Sequence, residues 1–203
     1  MIEIDCIQGE EEWFACKAGI PGASSFDKIV TSKGDPSRQA KNYAYQIAGE
    51  RITGVKTETY SNGIMQRGIE TEAEARQLFE LMTGLKVRQT GIIFPDETKR
   101  YLCSPDGIID EDLTGLEIKC PLAHTHIAYL LAGKLPTEYV QQVQGSMLVT
   151  GFDAWHFLSY YPGLPPLHIK VERDEAFLGS LSNELNKFCE LVDSVVERIK
   201  EAA

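Results

Sequence analysis

The chain lacks any run of the ~18–20 consecutive apolar residues that a membrane-spanning helix requires. Its opening, MIEIDCIQGEEEWF, has neither the basic stretch nor the apolar core of a secretory leader, so a cytosolic location is expected. Paired cysteines are also missing. The five thiols, Cys6, Cys16, Cys103, Cys120 and Cys189, stand singly, which argues against a disulfide framework and a zinc ribbon and predicts free, mostly buried side chains. There is no basic excess either: 20 Lys and Arg against 30 Asp and Glu leave a formal charge of −10. A protein that coats nucleic acid through its net charge is therefore disfavoured. An enzyme that confines basic groups to its substrate path and carboxylates to its metal sites is not. No repeat, low-complexity tract or long Pro/Gly linker divides the chain, which predicts one domain over residues 1–203.

What is present is ordinary globular composition, 43% hydrophobic and 25% charged, in a patterned order. EEEWFACKAG starts with acids and stops at Gly19, as a short helix does. ASSFDKIV offers Ser24 or Ser25 as an N-cap. DPSRQAKNYAYQIAGERITG places Pro36 near a helix start and ends on Gly54. GIMQRGIETEAEARQLFELMTG is the strongest helix, with Met65, Ile69, Ala73, Leu78, Phe79 and Met82 as its apolar face and Gly84 as its stop. From Leu85 the period shortens. KVRQTGIIFPDETKRYLCSPDGIID predicts two strands around an Asp96–Lys99 turn, and GLEIKC a third. Helices are expected over about 122–132 and 137–149, strands in AWHFLSYYP and PLHIKVER, and an amphipathic helix over 174–202. The order predicts an α/β (α+β) domain with a central mixed sheet flanked by helices.

The chemistry concentrates in CSPDGIIDEDLTGLEIKCP, residues 103–121. On a strand, Glu117 and Lys119 share one face while Ile118 points to the other. A same-face surface ion pair is the plain reading, but Leu116, Ile118 and Cys120 suggest a central strand. Burying such a pair costs several kcal/mol unless something compensates. Asp106 adds a second carboxylate that would repel Glu117 unless a divalent cation lay between them. Two acids and a lysine around Mg²⁺ suit phosphodiester hydrolysis, because the ion takes oxygen ligands and activates water. The lysine can orient that water and offset phosphate charge.

Ser104-Pro105-Asp106-Gly107 followed by Gly115-Leu116-Glu117-Ile118-Lys119-Cys120-Pro121 resembles motifs of the PD-(D/E)xK nuclease superfamily, and within it the phage lambda exonuclease (YqaJ-like) family. The resemblance extends upstream to Gly68, Glu72, Ala75 and Arg76, matching a G-x-x-x-E-x-x-A-R helix. It extends downstream to Gln142, Gln144, Ser146, Met147 and Trp155. Near the start, Trp13, Lys17, Gly19 and Ser24 match the family's W-x-x-x-R-x-G-x-x-x-AS pattern. Ordered matches run from Trp13 to about Asp174.

The resemblance implies a restriction-endonuclease-like core with an N-terminal helical lobe. It implies Asp106, Glu117 and the Ile118 carbonyl as metal ligands and Lys119 as the catalytic lysine. Glu72 would serve a second metal or its water, although the run Glu70, Glu72, Glu74 also reads as a solvated acidic face. Gln142 or Gln144 would position water or substrate. The two point about 200° apart on a helix; Gln142, the first of the pair, is the one expected at the site, with Gln144 packing or capping. Lys17, Ser24 and Ser104 would hold a terminal 5′-phosphate. Lysine at 17 departs from the family's arginine and gives up bidentate binding. For Ser24 an N-cap role is compatible with anion binding. Met65 would be an apolar wedge between separating strands, or an ordinary core methionine. Lys28, Lys33 and Arg38 could line the DNA path or a solvated face. His124 and His126 are expected at the surface.

By the same resemblance the chain would be a Mg²⁺-dependent exonuclease, with Mn²⁺ as a plausible substitute. It would digest one strand of duplex DNA from 5′ to 3′ at double-stranded DNA ends, leaving 3′ tails. Implied partners are further copies in a homotrimeric ring and a single-strand annealing recombinase. The implied setting is the cytoplasm of a bacterial host, for a phage or prophage protein. Two alternatives remain: a PD-(D/E)xK endonuclease or RecB-like nuclease of other polarity, or a catalytically silent DNA-end-binding module. An iron–sulfur form is disfavoured by the absence of four clustered cysteines.

Overall fold

A computed structural model describes residues 1–57 and 63–202, and for 63–70 the backbone only. In chain order the elements are β1 (Ile2–Ile4), α1 (Glu11–Lys17), a 3-10 helix at Ala23–Lys28, α2 (Ala40–Thr53), α3 (Gly63–Thr83), β2 (Ile92–Phe94), β3 (Gly107–Ile109) and β4 (Thr114–Lys119). Then come α4 (Ala123–Ala132), a 3-10 turn at Thr137–Tyr139, α5 (Val140–Thr150), β5 (Ala154–Ser159), β6 (Leu167–Glu172) and α6 (Glu175–Glu201). Among the described residues, no helix is long and apolar enough to cross a membrane.

The central sheet has the order β3-β4-β5-β6 and is mixed. β4 and β5 run parallel, Gly115 opposite Trp155 and Lys119 opposite Ser159, and α4 and α5 make the crossover between them. β3 and β6 are antiparallel additions at the two edges. Buried side chains on one face form the main core with the first 3-10 helix, α2, α5 and α6, including Phe26, Ile47, Met147, Trp155, Phe157 and Leu185. Tyr43 of α2 stacks on Phe188 of α6 at 5.3 Å. On the other face Leu116, Ile118 and Leu158 pack under Ala75 and Phe79 of α3. Asp174 caps α6 by accepting the Phe177 N–H at 3.0 Å.

Four details differ from the sequence-based expectation. The first 3-10 helix begins after Gly22, so Ser24 sits inside it and is not an N-cap. On α3, Ala73 and Met82 are exposed, and the buried stripe is Ala75 and Phe79 with Leu78 partly covered; Met65 and Ile69 lie outside the described side chains. The two long strands after Leu85 are short pieces, because Pro95 and Pro105 have no N–H to extend a ladder. Their hairpin survives as a single Ile93–Cys103 pair bonded both ways at 2.9 and 3.0 Å, while β2 takes the unforeseen strand β1 as its partner. Finally, His126 is fully buried, with one ring nitrogen 2.7 Å from Ser159 Oγ and the other 2.9 Å from the Pro165 carbonyl. His124 is exposed, as expected.

The approach of β5 to β4 depends on Gly115. A Cβ there would lie 2.2 Å from the Trp155 ring, which is itself fully buried. Gly115→Ala is therefore expected to destabilise the protein by about 2–3 kcal/mol through overpacking, read as a lower urea midpoint at unchanged slope.

Candidate active site

The site forms where β4 ends. Alternation puts Gly115, Glu117 and Lys119 on the face toward α5, and Leu116 and Ile118 on the face toward α3. Asp106 precedes β3 and extends the β3–β4 pairing by one step, its N–H donating to the Leu116 carbonyl at 3.1 Å. Beyond that point the ladder has no further β3 backbone. The Asp106 side chain replaces it, Oδ2 accepting the Ile118 N–H at 2.6 Å. The carboxylate is thus aimed by the same backbone that presents Glu117 and Lys119.

Glu117 is almost completely buried, and its Oε1 accepts from Lys119 Nζ at 2.5 Å and from Gln142 Nε2 at 2.6 Å. The Lys119 ammonium lies 5.2 Å from the centre of the Tyr139 ring. Glu72, on α3, pairs with Arg76 one turn later, and Arg76 Nε donates to the Asp106 carbonyl at 3.2 Å. Glu72 therefore stands beside the cleft, tied to it through Arg76. Its neighbour Glu74 is engaged elsewhere, accepting from the Tyr160 hydroxyl at 2.5 Å.

A cleft of about 160 Å³ opens over these groups. Asp106, Glu117, Lys119 and Gln142 line it together with Lys17, Ser24 and Ser104. Lys17 lies over the Trp13 ring at 3.7 Å, and Trp13 Nε1 donates to Ser104 Oγ at 2.9 Å. Ser104 in turn donates to the Gly91 carbonyl at 2.8 Å. A basic and hydroxyl-bearing wall thus faces an acidic one.

Several expected residues are placed elsewhere. Gln144 does not reach the cleft: its side chain donates to the Glu172 carbonyl at 2.9 Å and accepts the Asp174 N–H at 3.0 Å. Helical geometry turns it away from Gln142, and it joins α5 to the start of α6. Lys28 borders a separate shallow groove, 4.9 Å from the Tyr43 ring centre, and Lys33 and Arg38 are exposed. Met65 lies outside the described side chains. Residues without an expected role are Arg76, Tyr139, Trp13, Gln8 and Ser146, the last three also lining the cleft. Trp13, Arg76 and Ser146 stood in the matched motifs; Gln8 and Tyr139 carry no such signal.

Burial dominates the electrostatics. It pushes Glu117 up to about 7 against the pull of Lys119, with Asp106 adding to the rise. Asp106 is raised as well, again by burial. Glu72 moves up to about 7 through burial and the Asp106 charge. Burial alone would lower Lys119, but Glu117 and Asp106 outweigh it and hold the ammonium above its ordinary value. Lys17 falls to about 8 through burial, helped by the charge of Lys56. Burial and mutual repulsion thus oppose ionisation of the acidic wall more than its lysine relieves it, and a cation that favoured the charged carboxylates would be bound there.

A raised carboxylate leaves the native state holding more protons than the unfolded chain between about pH 4.5 and 7. Native stability then falls as pH rises through that window. His156, lowered to about 4 by burial and by His168, acts in the opposite sense and loses stability toward acid. The difference between wild type and Glu117→Gln isolates the carboxylate. In chelator-containing buffer, wild type is expected to lose ground to the variant from pH 5 to pH 8, by several degrees in Tm.

Residues 12–153 match the YqaJ-like viral recombinase domain. The uncharacterized protein ExoD of Escherichia coli K12 is 35% identical over 68 residues, 32% of this chain and 78% of that protein. Among solved structures, an alkaline exonuclease of Laribacter hongkongensis superposes with a TM-score of 0.86 at 31% identity, over 95% of this chain and 97% of its own. The same exonuclease in complex with dAMP gives 0.85. A phage-related exonuclease of Haemophilus somnus 129PT, 17% identical, shares the fold at a TM-score of 0.70, over 89% of this chain and 96% of its own. With the domain match spanning most of its length and the same fold in an exonuclease, the chain belongs to the YqaJ-like viral recombinase domain family.

Proposed function

We propose that this member of an exonuclease-fold family is a Mg²⁺-dependent enzyme that digests one strand of linear double-stranded DNA from 5′ to 3′, leaving a 3′ single-stranded tail. The observation that carries the reading is the meeting of Asp106, Glu117 and Lys119 in one cleft with Lys17, Ser24 and Ser104.

The donor set fits a hard cation. Asp106 and Glu117 offer carboxylate oxygens, among the described residues no sulfur or imidazole faces the cleft, and the raised carboxylates favour a positive ligand. Among the described residues, no three acidic, histidine or cysteine side chains are gathered tightly enough to enclose an ion alone. Mg²⁺, which keeps several waters, does not need them to be. The ion would be held by Asp106, Glu117 and the Ile118 carbonyl, with Mn²⁺ as a substitute and Glu72 serving a second ion or its water. When bound, it supplies an activated water and charge neutralisation at the phosphate. Lys119 then orients the attacking water and offsets charge on the phosphoryl oxygens. Gln142 fixes Glu117, and Arg76 and the Ile118 N–H fix Asp106. Lys17, Ser24 and Ser104 hold the terminal 5′-phosphate, which selects an end over an internal site. That dAMP occupies a structure of the Laribacter exonuclease fits release of mononucleotides.

On this reading three copies form a ring around DNA, and a single-strand annealing recombinase coats the tail. The setting is a bacterial cytoplasm under phage or prophage control.

Duplexes labelled at one end or the other, with and without 5′-phosphate, test the proposal. In Mg²⁺ the 5′-label is expected to leave first as mononucleotide while the 3′-label stays on a single-stranded tail. Closed circular duplex should remain intact; its digestion at the same rate would indicate an endonuclease. Lys119→Ala is expected to lower kcat by about 100-fold or more, and full Mg²⁺-dependent activity in that variant would exclude Lys119 from the chemistry. Lys17→Ala should leave digestion of 5′-hydroxyl ends largely intact and reduce the preference for 5′-phosphorylated ends by about tenfold, the scale of one charge-assisted hydrogen bond.

A further inference from the structure

Glu50 is a buried carboxylate, 2% exposed, that the chemistry above does not use. It sits near the end of α2, outside the cleft, and both oxygens are fully engaged. Oε1 accepts from Gln46 Nε2 at 3.0 Å and from the Thr57 N–H at 3.1 Å. Oε2 accepts from Lys56 Nζ at 2.8 Å and from the Gly19 N–H at 3.1 Å. Burial would lift its pKa, but the donors from Gln46, Lys56 and Gly19 hold it below the ordinary carboxylate range. Glu50 is therefore charged in the folded protein. A buried charge is costly unless hydrogen bonds and a counter-charge compensate it, and the four donors that do so here, Lys56 among them, tie three chain segments together.

What it fixes is the turn after α1. Gly19 stands two residues beyond Lys17, in the left-handed region at φ +73, and a Cβ there would meet Arg51 Cα at 2.8 Å. Its N–H goes to Glu50, and its carbonyl accepts from Arg51 Nε at 3.3 Å and Nη2 at 3.1 Å. Arg51 is in turn braced on Asp193 of α6 at 2.5 Å. Consecutive residues of α2 thus hold both polar groups of the Gly19 residue. On the near side, the Ile20 N–H donates back to the Lys17 carbonyl at 3.2 Å, so the clamp extends to the backbone of Lys17. On the far side, the chain runs through Gly22 into Ser24, and both line the cleft.

We propose that Glu50 and Arg51 form a positioning clamp that sets Lys17 and Ser24 at the spacing needed to bind a terminal 5′-phosphate, and so determine end specificity without touching substrate. A single lysine offers a point charge without the planar fork of an arginine, so its selectivity depends on where the backbone holds it. The proposal rests on the reading of Lys17 and Ser24 as the phosphate subsite. Glu50→Gln keeps the volume but replaces one acceptor oxygen by a donor, which faces two N–H groups. Arg51→Ala releases the carbonyl side from a partly exposed position and keeps the test open should Glu50→Gln fail to fold.

The experiment measures kcat/KM for 5′-phosphorylated and 5′-hydroxyl linear duplexes with full-length protein, alongside Tm. Wild type is expected to favour the phosphorylated end. Each variant should lose about fivefold or more of that ratio, with kcat on hydroxyl ends kept within about twofold; these follow from loss of one charge-assisted contact. A variant whose two rates fall together, in step with Tm, would reduce the clamp to a structural support and overturn the proposal. An unchanged ratio beside a phosphate-selective wild type would overturn it while leaving the subsite in place. A wild type indifferent to 5′-phosphate would remove the subsite, and the clamp's role with it.

Discussion

Glu117 sits on a central strand, nearly sealed from water, and most of the site's architecture answers to that one buried charge. Lys119 reaches it because strand alternation returns the side chain to the same face two residues on. Gln142 reaches it because the parallel crossover brings the first turn of α5 over the end of β4. Asp106 lies close enough to raise it further, through a carboxylate that substitutes for the missing strand neighbour of Ile118. Removing one partner of such a cluster leaves the others uncompensated, so parts drawn from β4, α5 and the segment before β3 behave as one unit.

The two faces of the sheet divide the labour. The α5 side carries the cleft and the main core, with Trp155 lying against Gly115 one ladder step from the reacting groups. The α3 side carries the smaller core, and its helix sends Arg76 around the sheet end to the Asp106 carbonyl. The N-terminal segment closes the third side. Trp13 binds Ser104 through its indole N–H and supports Lys17 with its ring, so one side chain orients two others that share the cleft.

Where local rules governed, the sequence was readable. The helix stops at Gly54 and Gly84, the existence of the β4 strand, and the long final helix all follow from periodicity and capping residues. The Asp106…Glu117-x-Lys119 spacing was legible because alternation needs no tertiary knowledge. Gln142 and Gln144 were separable in principle by helical angle, though only the packing shows that one meets Glu117 and the other the β6–α6 junction. The β1–β2 pairing was not legible, since it joins segments nearly ninety residues apart through three residues each. His126 misled because its polarity suggested the surface, while its partners, Ser159 and Pro165, are distant in sequence.

By itself the sequence determined which chemical groups exist and which faces they share within an element: two acids and a lysine on one short stretch, and a basic residue and serines ahead of it. It also determined the order of the helices and strands that follow β1, because turn chemistry and hydrophobic period act over a few residues. Only the tertiary structure decided that Lys17, Ser24 and Ser104 look across one cleft at Asp106 and Glu117. It alone decided that Glu50 and Arg51 hold the turn at Gly19. Apart from those of Ser104, these approaches span about thirty to a hundred residues, and their geometry depends on how the sheet and its covering helices pack, which no local pattern encodes.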